Sequence, residues 1–80
     1  MPACLKLVSE QFPHVQERAV RLFGRDEGFR ELCEEYEACV GAERRLGASG
    51  PDQEAIRREY KLLQLRLESE LLRYLQESRT

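Results

Sequence analysis

Four side chains offer donor atoms for metal or nucleophilic chemistry: His14 and the thiols of Cys4, Cys33 and Cys39. Zinc sites draw three or four such ligands together, usually with a close Cys or His pair among them. The intervals between these four residues supply no such pair. An odd number of cysteines without a CxxC pair also differs from the framework of a secreted disulfide protein. If Cys33 and Cys39 share a helix, they stand about 9 Å apart along its axis and about 240° apart around it, out of bonding reach. Both are expected to serve as small buried hydrophobes. Cys4 is expected on a mobile terminus, where a redox-sensing thiol would have no basic neighbour closer than Lys6 to depress its pKa.

His14 belongs to no recognisable Ser, Asp or Cys nucleophile motif, and the chain has no Gly-rich phosphate loop. It is expected as a surface histidine in the first turn of a helix. Glu31, Glu34, Glu35 and Glu37 could ligate a hard cation, but they lack the loop geometry of calcium sites, and a solvated helix face accounts for them. The sequence predicts no enzyme, no catalytic residue, no metal and no cofactor.

The remaining chemistry-bearing group is basic. Arg44, Arg45, Arg57, Arg58 and Lys61 would gather at the turn end of a helical hairpin. Glu43, Asp52, Glu54 and Glu59 share that end, so five positive and four negative charges leave it at +1, while the whole chain carries −2. Affinity for nucleic acid or an anionic membrane needs a larger positive footprint. Weak RNA or ribosome association through these five residues is therefore the second functional expectation, not the first.

The elements that would position these groups are helices. An 80-residue chain with charged residues at 35%, mixed in sign, and only three Pro and five Gly has the makeup of one helical domain. At this size a chain buries only about 60% of the surface its unfolded form exposes, which disfavours a deep pocket. Residues 1–11 are expected as a flexible lead-in. Phe12 and Pro13, followed by Val15, Ala19, Leu22 and Phe23, predict a short first helix with Pro13 in its first turn. After Gly24, Asp26 can cap a second helix, in which Phe29, Leu32, Cys33, Tyr36, Cys39 and Val40 form a single stripe. The run from Gly47 to Asp52 predicts a reversal of direction, and an unbroken pattern from Pro51 to Glu77 predicts a third helix of about 40 Å.

On that third helix Ile56, Tyr60, Leu63, Leu67, Leu71 and Tyr74 stay within an arc of about 80°, the expected seam with the second helix. Leu65 and Leu72 project about 140° or more from the middle of the seam, and Leu62 about 140° to its other side. Either the first helix folds across Leu65 and Leu72 or another chain does. Three leucines left wet would forgo about 1.5–3 kcal/mol each, a large loss for so small a domain. The expected architecture is all-α: a short N-terminal helix, then a long antiparallel helical hairpin that assembles as a dimeric bundle. The expected function is protein–protein interaction through Leu62, Leu65 and Leu72, with a second copy or another cytosolic protein as partner. No run approaches the roughly 20 apolar residues of a membrane span, and residues 1–8 lack the apolar centre of a signal peptide, so the expected location is cytoplasmic with no membrane contact.

The run Phe12-Pro13-His14 through Leu22, then Phe29, Leu32 and Glu34-Glu35-Tyr36, then Tyr60-Lys61-Leu62-Leu63-Gln64-Leu65 and Glu70-Leu71-Leu72 resembles the YdcH-like family of small bacterial proteins, a domain of unknown function. The resemblance covers about residues 12 to 77. It implies a short leading helix, a long antiparallel hairpin and no assigned enzymatic activity. The chain departs from the family pattern at Cys39-Val40 and Glu43, where a Leu-Asp pair and a later Ile are usual. The family has no established binding residues to carry over.

Overall fold

The computed structural model describes residues 1–47 and 50–77. Its elements are α1 (Ala3–Gln11), a 3-10 turn over Pro13–Val15, α2 (Gln16–Arg25), α3 (Glu27–Gly47), a second 3-10 turn over Pro51–Gln53, and α4 (Glu54–Glu77). The architecture is all-helical, and the rod they form measures 47 × 22 × 22 Å.

Local chemistry sets the breaks. Phe12 leaves α1 at φ −127, ψ 67, and Pro13, with no N–H to donate, opens the first 3-10 turn. One residue separates α2 from α3. The backbone of Asp26 is extended, its N–H bonds the Leu22 carbonyl at 2.8 Å to close α2, and its Oδ1 accepts the Phe29 N–H at 3.1 Å to open α3. This is the cap that the sequence predicts. Gly24 and Gly28 lie inside α2 and α3 and do not break them. At the later reversal Gly50 sits at φ 98, a conformation that strains any residue bearing a Cβ. Of the expected turn from Gly47 to Asp52, Ala48 and Ser49 lie outside the described residues.

The expected flexible lead-in is instead a helix. Cys4, Leu5, Val8 and Ser9 of α1 are buried, and Phe12 is buried just beyond. Their spacing of three and four is the amphipathic pattern, short but complete. The reason for the extra helix lies in α3, whose buried residues Phe29, Leu32, Cys33, Tyr36, Cys39 and Val40 spread over an arc of about 120°. α4 packs along this stripe with Leu67, Leu71 and Leu75, and α1 and α2 pack on it as well, adding Leu5, Val8, Ala19 and Leu22 to one cluster.

Contacts between α3 and α4 pair in opposite chain order. The Phe29 ring meets the Tyr74 ring edge-on with centroids 5.7 Å apart, Tyr36 bonds Glu68, and Glu43 bonds Arg57. Tyr60, Leu63, Leu67, Leu71 and Tyr74 pack in the seam as expected. Ile56 does not, and remains 46% exposed. Leu75, which the sequence reading placed on no face, is fully buried. Residues four apart on a helix drift about 40° per step, so the row Leu67, Leu71, Leu75 turns the buried face as α4 proceeds. It turns toward the end where α2 joins α3 against α4. There Arg18 of α2 donates from Nη1 to the Leu75 carbonyl at 2.7 Å, giving a charged donor to one of the last carbonyls of α4, which lack partners within the helix.

Asp26→Ala should lower stability by about 1 kcal/mol through loss of the cap. Ser9 is the reverse case, because its buried Oγ has no hydrogen-bond partner among the described residues. Ser9→Ala removes that unpaired hydroxyl and should raise stability by about 1 kcal/mol. Urea titration followed by circular dichroism measures both shifts, and a destabilised Ser9→Ala would show that the hydroxyl is satisfied in solution.

Candidate functional site

With one side of α4 sealed against α3, the opposite side is available. Arg58, Leu62, Leu65, Ser69, Leu72 and Gln76 fall within an arc of about 80° whose middle lies about 140° from Leu71. Leu62 is 62% exposed and Leu65 50%. Leu72 is half-buried and packs against the core, at the end of α4 where α2 docks through Arg18. The expected three-leucine face is thereby corrected to a two-leucine patch, one turn of helix long, continued by Ser69 and the uncovered part of Leu72. Of the two alternatives for covering that face, cover from within the chain holds for Leu72 in part, and Leu62 and Leu65 stay in solvent.

The basic residues are partly gathered. Arg57, Arg58 and Lys61 line one shallow depression, and Glu43 and Glu54 line it with them. Arg57 donates from Nε to Glu43 Oε1 at 3.2 Å, an exposed pair whose contribution to stability is about 0–1 kcal/mol. Arg44 and Arg45 lie exposed in the last turns of α3. The end of the rod is of mixed sign, as the charge count anticipates.

Burial raises the pKa of four groups, the thiols of Cys4, Cys33 and Cys39 and the Tyr36 hydroxyl. Burial, reinforced by the charges of Cys4 and Glu34, pushes the Cys33 thiol up to about 12. Burial also raises Cys39, with the Glu43 charge adding to it, and its Sγ donates to the Tyr60 carbonyl at 3.2 Å. Cys4 is buried in α1, not displayed on a mobile terminus, and burial together with the Glu37 and Glu34 charges outweighs the lowering by the Leu5 N–H. The thiolate is the reactive form, so all three free thiols are poor nucleophiles near neutral pH. Tyr36, fully buried, donates from Oη to Glu68 Oε2 at 2.6 Å, and Gln64 Nε2 donates to the same oxygen at 3.2 Å. Burial first, and then the bonded carboxylate, drives the Tyr36 pKa far above its ordinary value. The sequence reading did not single out Glu68 or Gln64. Both border the apolar stripe of α4 at i,i+4 spacing, but no periodicity tells which border residue meets a buried hydroxyl.

His14 and the cluster Glu31, Glu34, Glu35 and Glu37 are exposed. Among the described residues no three His, Cys, Asp or Glu side chains come together to hold a metal ion, and no helix is long and apolar enough to cross a membrane. Comparison with known families, curated proteins and solved structures finds no match to the chain.

The raised thiol pKa values predict alkaline instability. Unfolded cysteines ionise from their ordinary value of 9.0, whereas Cys33 keeps its proton to about 12 in the fold. Above pH 9 the unfolded chain therefore binds fewer protons than the folded one, and stability falls as pH rises toward 12. The urea midpoint should decline over that window, and Cys33→Ala should flatten the decline. An unchanged slope in the variant would assign the loss to the other buried groups.

Proposed function

We propose that this chain, in line with its resemblance to the YdcH-like family, is a protein–protein interaction module. In this reading α3 and α4 form an antiparallel hairpin that holds Leu62 and Leu65 out to a helical partner, either a second copy or another cytosolic protein. The observation that carries the proposal is the pair of leucines one turn apart in solvent, on a helix whose other side is fixed by the core. Recognition by an amphipathic helix uses anchors three and four residues apart on one face, and Leu62, Leu65, Ser69 and Leu72 succeed one another by steps of three, four and three. A face already rigid before docking loses little conformational entropy on binding. The basic end carries no equal case, since Glu43 engages Arg57, and Glu54 lines the same depression as Arg58 and Lys61.

Leu62→Glu combined with Leu65→Glu should leave helicity and the thermal midpoint nearly unchanged, because both side chains are already in water. Association through the face should weaken at least about 100-fold, the equivalent of burying two leucines. Capture of partners from a lysate, run in parallel with light scattering of the purified protein, reads this. The proposal fails if the variant retains every species that the parent chain retains.

A further inference from the structure

We infer that α1 is a releasable strap, which swings off α3 as a unit about Phe12 and Pro13 and bares Cys33 while α2, α3 and α4 stay packed. The inference is independent of the outer face of α4.

Polar bonds fasten the other helices. Arg18 of α2 reaches the Leu75 carbonyl of α4 at 2.7 Å, and Arg30 of α3 donates from Nε to the Phe23 carbonyl of α2 at 3.2 Å. Tyr36 with Glu68, Cys39 with the Tyr60 carbonyl, and Arg57 with Glu43 tie α3 to α4. Among the described residues no side chain of α1 makes a hydrogen bond or ion pair to another helix. The burial of Cys4, Leu5 and Val8 is what holds α1 in place.

α1 is also weak by itself. Pro2 at its N-cap gives no side-chain bond, its first turn holds no acidic residue and its last turn no basic one. Its nine residues fall short of the roughly 12–15 at which an isolated helix is marginal in water, so α1 melts once it leaves α3. The buried Ser9 hydroxyl, unpaired among the described residues, regains water on opening. The helix ends where Phe12 takes φ −127, ψ 67, and Pro13 bars its continuation. A segment with apolar contacts alone, weak helical ends and a break at its root opens separately from the rest of a fold.

Two thiols mark the strap and a third marks the body. Cys4 lies on the buried side of α1, against the turn of α3 that carries Cys33, Glu34 and Glu37. Burial, and then the charges of Glu37 and Glu34, raises the Cys4 pKa, and burial, and then the charge of Cys4, raises that of Cys33. Cys33 itself has no exposed surface. Cys39 is buried too, but its thiol is bonded to the Tyr60 carbonyl of α4, so it is uncovered only when α3 and α4 part.

Alkylation of the native chain by iodoacetamide near neutral pH, with each thiol followed by peptide mass spectrometry, tests the strap. A minor open state of about 0.1–10% predicts that Cys4 and Cys33 react together, about 10- to 1000-fold more slowly than in the urea-unfolded chain. Cys39 should be slower than both by at least about tenfold, and its rate should rise more steeply with urea because a larger surface must open. Leu5→Ala should speed Cys33 about tenfold, since burial of Leu5 favours the closed state. Tyr36→Phe, which removes the bond to Glu68, should speed Cys39 and leave Cys33 within about twofold of the parent. Circular dichroism confirms that each variant keeps its helices. Cys33 and Cys39 reacting at one rate with one urea dependence would show that only global unfolding bares them, and overturns the inference. So does labelling of Cys4 without Cys33, the mark of a fraying end.

Discussion

The buried stripe of α3 is about a third of the helix circumference wide, broader than a single packed helix covers, and the number and placement of the other helices follow from that width. α4 takes one side of it through Leu67, Leu71 and Leu75. The remainder, which includes Cys33, would lie open without α1 and α2. A chain this short has no second layer with which to cover it, so the first 25 residues are drawn into the core. Burying Leu5, Val8, Phe12, Ala19 and Leu22 against α3 satisfies both partners at once, which is why the N-terminal run is ordered although its apolar residues are few.

Apolar contact alone leaves helices free to slide by a turn, and polar atoms oppose this at several levels of the rod. Arg57 reaches Glu43 near the reversal, the Cys39 thiol reaches the Tyr60 carbonyl, and Tyr36 reaches Glu68 further along. Arg18 meets the Leu75 carbonyl at the far end. A slip of one turn that brought Leu72 to the place of Glu68 would strand the Tyr36 hydroxyl in apolar surroundings, at a cost of about 1–3 kcal/mol. The network is thus a register device as much as a source of stability. The same low-dielectric setting keeps the thiols and the phenol protonated, which removes them from chemistry at neutral pH.

What the core does not use is the outer side of α4. That side has two characters divided along its length, a mixed-charge depression around Arg57, Arg58 and Lys61 followed by the apolar row that begins at Leu62. The first is internally compensated by Glu43 and Glu54. Among the described residues the second is covered by nothing beyond the half-cover of Leu72, which leaves it as the surface free for a partner.

Periodicity in the sequence determined the all-helical class, the six-residue stripe of α3, the cap at Asp26 and the apolar surplus on α4. Each of these is a local property, set by spacing along a single helix or by one residue's own side chain. The tertiary structure decided the rest. Leu75 went to the core and Ile56 to solvent because the buried face of α4 turns toward whichever helices lie beside it, and spacing within α4 holds no record of where α2 docks. Leu72 is half-covered for the same reason. The α1 helix was written in Leu5, Val8 and Phe12, yet so short a pattern is stable only against a surface that needs covering, and that need appears once α3 and α4 have packed and part of the α3 stripe is still bare.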